Sequence, residues 1–102
     1  MKLFTRNKLS RILQGQKRKN HKAFHALREI GFDPPAVRRM LIAGNNIRVK
    51  HLARGAEVTA PTIYQVCYGK RHNKTGQDIL SQALSIPVQT LFPDTYKENA
   101  HD

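Results

Sequence analysis

The residues with most to offer chemically lie in "TAPTIYQVCYGKR", Thr59 to Arg71. On helical spacing Ile63, Val66 and Cys67 share one side, which leaves Ala60, Pro61, Tyr64, Gln65 and Tyr68 on the other. Two tyrosines and a glutamine turned outward on a short helix add little to its stability; their chemistry is that of recognition. A glutamine amide can pair with an adenine edge, a tyrosine hydroxyl can reach a phosphate or a base, and an alanine or threonine methyl can meet a thymine methyl. Arg48, Lys50 and Arg54 lie before this segment, and Lys70, Arg71, His72 and Lys74 after it. They suit phosphate contacts, which set register without reading sequence. Any one of these cations is more often a solvated surface charge; the cluster is what carries weight.

Bond-making chemistry has no such constellation. A single cysteine excludes an intramolecular disulfide and fits a reducing cytoplasm. Cys67 falls on the core side of its segment and reads as a small buried hydrophobe. The histidines at 21, 25, 51, 72 and 101 are scattered, and only His21 and His25 have i,i+4 spacing, a poor basis for a metal site. Glycine-rich phosphate loops, close carboxylate pairs and nucleophile motifs are missing. No enzyme activity, metal, cofactor or small-molecule ligand is expected. A chain of 102 residues buries one modest core and has little room for a deep cleft.

Charge narrows the partners further. Eighteen Lys and Arg against seven acids give a formal net charge of +11, a field that favours a polyanion. Nine of those cations and no acid fall between Met1 and Arg28. No apolar run approaches the roughly 18 residues that span a bilayer, so no membrane partner is expected. "MKLFTRNKLSRIL" is too interrupted by polar residues for a secretory signal, while its basic, acid-free character leaves a mitochondrial presequence as a rival reading.

The elements that would position the reading residues follow from local signals. From Thr62 to Tyr68 the β-branched and aromatic side chains favour a strand by propensity, but Pro61 would remove a ladder donor there. With Thr59 as N-cap, Pro61 falls in the first helical turn, where no N–H is needed. Burying Ile63 and Val66 gains roughly 1.5–3 kcal/mol each, against a propensity deficit of at most about 0.7 kcal/mol per residue. Helix is expected. Upstream, "DPPAVRRMLIAG" offers Asp33 as N-cap, prolines in the first turn, apolar Val37, Met40 and Leu41, and Gly44 as stop. Asn46 can cap "IRVKHLARGA", with Val49, Leu52, Ala53 and Ala56 on one face. Downstream, Thr75 and Asp78 resemble a capping box ahead of Ile79, Leu80, Ala83 and Leu84. "SIPVQTLFPD" reads as one helical turn begun by Pro87 and stopped before Pro93. In the basic N-terminal region Leu9, Ile12 and Leu13 share a face, as do Ala23, Leu27 and Ile30, across the break "QGQKRKNHK". Two short helices with a basic linker, or a flexible arm that orders on DNA, both fit.

Two short apolar-faced helices about three residues apart are the parts of a helix-turn-helix. Ala53 supplies the small residue at the crossing, Val58 the plug of the turn, and Ile63 and Val66 the inner face against Leu52 and Ala56. "LARGAEVTAPTIYQV", "YGKR" and "ILSQALSIPVQTLFP" resemble the λ-repressor/Cro-type helix-turn-helix family over Asp33 to Pro93. "KTGQDIL", "IPVQTLFPDTY" and the proline before the first helix lean toward Ner-like phage regulators. The resemblance implies an all-α, five-helix domain at 33–93; it says nothing about the basic, partly helical extension at 1–32 or the polar tail at 94–102, which are read from charge and composition. It implies operator DNA read by the third helix, often as a homodimer, and places base reading on Thr59, Ala60, Pro61, Tyr64, Gln65 and Tyr68. Sequence-specific binding of double-stranded DNA by a phage-type cytoplasmic, nucleoid-associated regulator, a repressor by expectation, follows. An architectural DNA-binding protein is the alternative, and RNA binding through the basic arm a third reading. One departure stands out: Glu57 occupies a turn position where the family usually has glycine, and a left-handed glutamate costs on the order of 1 kcal/mol. Its charge is expected to point away from DNA.

Overall fold

A computed structural model describes the backbone from Arg6 to Tyr96 and the side chains from Arg18 to Tyr96. These residues form seven helices and no strand: α1 (Arg6–Ile30), α2 (Pro34–Gly44), α3 (Val49–Ala53), α4 (Ala60–Cys67), α5 (Lys74–Leu84), α6 (Val88–Leu91) and α7 (Pro93–Tyr96). None of them is long and apolar enough to cross a membrane.

Helix starts follow local chemistry. Asp33 caps α2 by accepting from the Ala36 N–H at 3.0 Å, and Thr59 caps α4 by accepting from Thr62. Pro34 and Pro35 open α2, Pro61 lies in the first turn of α4, and Pro87 immediately precedes α6. Two expected caps differ. Asn73, not the Thr75–Asp78 pair, caps α5, its side chain accepting from Gly76 N–H at 2.8 Å. Asn46 does not open α3; with φ 56° it closes α2, where Asn46 N–H bonds Ala43 and Ile47 N–H bonds Ile42. That paired pattern satisfies carbonyls left over at a helix end, and it recurs after α1 at Gly31, after α4 at Gly69 and after α5 at Ser85. Gly44 is therefore the last residue of α2 rather than its stop.

The basic N-terminal region is one helix through "QGQKRKNHK", not two. Gln, Lys and Arg favour helix, and a lone glycine costs only about 1 kcal/mol relative to alanine. The side chains of Leu9, Ile12 and Leu13 lie outside the described residues, as do residues 97–102 of the expected 94–102 tail, whereas Asp94 to Tyr96 are not tail but part of α7, packed on the body. From Asn20 onward α1 belongs to the packed body. Phe24 is buried, Ala23 and Leu27 pack against the core, and Asn20 donates to the Leu84 carbonyl at 3.0 Å, closing the end of α5. Ile30, expected on the same apolar face, is 72% exposed, because the chain turns away at Gly31.

Val37, Leu41, Val49, Ile63, Val66, Cys67, Leu80, Leu84, Ile86, Leu91 and Phe92 complete the core with Phe24. Through it runs one buried cation. Arg38 of α2 has no exposed surface. Its Nε donates to the Cys67 carbonyl (2.8 Å) and Nη1 to the Leu91 carbonyl (2.9 Å), the last residues of α4 and α6. Nη1 and Nη2 also grip both carboxylate oxygens of Asp94, at 3.0 and 3.1 Å. The guanidinium stacks 4.3 Å from the centre of the Phe92 ring. Gln77, also buried, ties α5 to α7 by donating to Thr95 and accepting from Tyr96. Among the described residues, no buried side-chain polar atom lacks a partner.

Arg38→Ala strands two helix-end carbonyls and the Asp94 carboxylate, and is expected to cost roughly 3–5 kcal/mol, read as a lowered urea midpoint. Asp94 is a third exposed, so Asp94→Asn is expected to cost less, about 1–3 kcal/mol. Gly55 and Gly69 both have φ near +79°, but a Cβ at Gly55 meets nothing within 4 Å, whereas one at Gly69 would lie 3.3 Å from both Pro35 and Asp94. Gly55→Ala should cost about 1 kcal/mol, and Gly69→Ala measurably more in the same titration.

Candidate nucleic-acid interface

α4 is only eight residues long, too short to persist alone, and is held by what it buries. Ile63, Val66 and Cys67 are at most 1% exposed, and Val66 packs so closely on α5 that a Cβ at Gly76 would sit 3.1 Å from it. The opposite side faces solvent. Tyr64 (44%) and Tyr68 (39%) are exposed, with ring centres 6.1 Å apart, and Gln65 and Pro61 are exposed beside them. Thr59 is exposed at the N-cap, its hydroxyl 3.1 Å from that of Thr62. Ala60 departs from expectation: it is half-buried and packs against the core.

The turn before α4 also differs. Six residues, Arg54 to Thr59, separate α3 from α4 rather than about three, since α3 ends at Ala53. The left-handed residue of this turn is Gly55, not Glu57, which has no positive φ and lies exposed. The expected strain at Glu57 is absent, because a glycine two residues earlier makes the turn. Val58 is half-buried against the core, as the plug of the turn was expected to be.

All seven expected phosphate-contacting residues are exposed. Arg48, Lys50 and Arg54 line one open groove together with Tyr64, so α3 and α4 share a cationic surface. His51 joins that groove, and its i+1 position after Lys50 was the available signal for it. Beyond α4, Arg71 turns back so that Nη1 lies 3.4 Å from Thr62 Oγ1, while Lys70 and His72 occupy the same exposed loop. Lys74 is engaged elsewhere, 3.4 Å from Asp78, in an exposed pair worth little. Arg39, which composition alone does not single out, places its guanidinium 5.3 Å from the centre of the Tyr68 ring.

Cys67 sits beneath this surface, and burial pushes its thiol from an ordinary 9.0 to about 11, partly offset by the charges of Arg38 and Arg39. His21 and His25 stack edge to face at 4.8 Å, and among the described residues no three His, Cys, Asp or Glu gather as metal ligands. No protein-family model, curated protein or solved structure matches this chain.

The Cys67 environment gives a chemical test. At pH 8 the folded thiol should resist iodoacetamide and become reactive only in denaturant, because the thiolate is the nucleophile. The unfolded thiol ionises near 9.0 and the folded one near 11, so between these values the unfolded state binds fewer protons. Stability should therefore fall as pH rises from 9 to 11, and a Cys67→Ala variant should lack that component of the slope.

Proposed function

We propose that this chain is a sequence-specific double-stranded DNA-binding protein in which α3, the Arg54–Thr59 turn and α4 act as a helix-turn-helix. The observation that carries the reading is the outward side of α4. Tyr64, Gln65 and Tyr68 stand exposed on a helix whose other side is sealed in the core, and cations flank both of its ends. α2 to α6 cover 34–91, the stretch over which the λ-repressor/Cro resemblance runs, and α1 and α7 add to that body from either side. Docking places the N-terminal part of a reading helix against base edges. Thr59, Pro61, Tyr64 and Gln65 are the base-reading set, with Ala60 supporting from beneath. Arg48, Lys50, Arg54, Lys70, Arg71 and His72 hold the backbone, and Lys74 contributes once released from Asp78.

The protein on this reading is a phage- or prophage-type transcriptional repressor, acting in a bacterial cytoplasm on nucleoid DNA, with two copies on two half-sites. It binds without a cofactor and transforms no substrate. A specific observation also favours an architectural role: the acid-free, nine-cation run to Arg28 continues into α1, a helix 25 residues long. Such a surface gives affinity that is indifferent to sequence.

A binding titration against the gene's own upstream region and against random duplex separates the two. Operator recognition requires a preference well above about threefold at physiological salt, and a smaller one favours the architectural role. Gln65→Ala should cost ~1–3 kcal/mol and relax preference at a single base pair, while Arg71→Ala should weaken all duplexes alike.

A further inference from the structure

Tyr68 stands apart from the other exposed residues of α4. It is the C-cap, the residue furthest along the helix from Thr59, and its N–H closes the last turn on the Tyr64 carbonyl. A helix that presents its N-terminal residues to base edges carries its C-terminal end toward the strand backbone. Here α2 meets that end: Arg38 bonds the Cys67 carbonyl, and a Cβ at Gly69 would touch Pro35. The next residue of α2, Arg39, is exposed, and its guanidinium lies 5.3 Å from the Tyr68 ring centre, within cation–π range. Tyr64 extends the row, its ring tilted 45° to that of Tyr68. The planar cation is thus seated on an aromatic face at the rim of the reading surface.

We propose that Arg39 and Tyr68 form a phosphate clamp on the DNA backbone, with Arg39 as the contacting charge and Tyr68 as the platform that positions it. Tyr68 is thereby a positioning residue and does not read a base. The contacting charge of the clamp comes from a helix outside the α3–turn–α4 unit, and the clamp rests on the proposal that α4 docks on duplex DNA. Arginine suits the role because its flat fork stacks on a ring while keeping N–H donors free for phosphate oxygens.

The test compares full-length wild type, Arg39→Ala, Tyr68→Phe, Tyr68→Ala and the double alanine variant across a salt series. The duplexes are the gene's own upstream region and a random sequence. Arg39→Ala should lower the slope of log affinity against log salt by about 0.9, the value for one lost phosphate contact, and weaken both duplexes by the same factor. Tyr68→Phe keeps the ring and should behave as wild type. Tyr68→Ala should repeat the Arg39→Ala pattern, and the double variant should be no weaker than Arg39→Ala alone. An unchanged slope for Arg39→Ala, or a Tyr68→Phe variant with altered base preference, overturns the clamp. If wild type shows no preference for its own region yet Arg39→Ala flattens the slope, operator reading fails and the clamp stands. If wild type is selective and Arg39→Ala is silent, the clamp alone fails.

Discussion

A fully buried guanidinium decides how this small domain closes. Arg38 reaches from α2 to the final carbonyls of α4 and α6 and to the carboxylate that opens α7, so one side chain joins four helices. A charge in an apolar core is costly unless it is paired and its donors are used. This one meets both conditions: Asp94 supplies the opposite charge in a bidentate grip, the two carbonyls take further N–H groups, and Phe92 covers the flat face. Helix C-termini carry partial negative charge, so a cation placed where two of them converge is favoured by their dipoles as well as by hydrogen bonds. Asn20 performs a neutral version of the same task for α5.

That arrangement bears directly on α4. A helix of eight residues with three β-branched side chains, Thr62, Ile63 and Val66, has little intrinsic stability, so its orientation is a property of its surroundings. Its N-terminal end is fixed by Thr59, its inner face by Ile63 and Val66 against α3 and α5, and its C-terminal end by Arg38. For the DNA contact proposed above, a surface held at three points would lose little conformational freedom on binding, and pre-organisation of this kind favours affinity. The exposed tyrosines add contact area with few rotatable bonds.

Much of this was legible in the sequence wherever a signal acts locally. Asp33, Thr59 and the prolines at 34, 35, 61 and 87 announce helix starts because capping depends on residues three apart, and the 3.6-residue period placed Ile63, Val66 and Cys67 inward. What escaped depends on distant chain segments. Nothing local marks Arg38 as buried, since its partners lie 29, 53 and 56 residues away. The left-handed turn residue was sought at Glu57 through the family pattern, whereas Gly55 was available to take it. Asn46 closes a helix where a start is expected, because asparagine serves both helix starts and left-handed helix ends and neighbouring hydrogen bonds choose between them; Asn73, rather than the Thr75–Asp78 pair, caps α5. Of the site, the exposed side of α4 and its flanking cations were readable, while the partial burial of Ala60 and the approach of Arg39 to Tyr68 depend on tertiary packing.

Arg38 and Arg39 show why chemical type alone could not separate structure from function here. They are adjacent, equally charged and on one helix, yet roughly 100° apart around its axis. One therefore points into the core and the other along the surface beside Tyr68. The inward residue fixes the carbonyl end of α4, and the outward one meets an aromatic ring on that same end. Any shift of α2 along its axis would move both contacts together. In the proposed reading, the helix that secures the reading element is therefore also the helix that grips the backbone beside it. Positioning of α4 and a sequence-independent contribution to affinity are coupled through a single turn of α2.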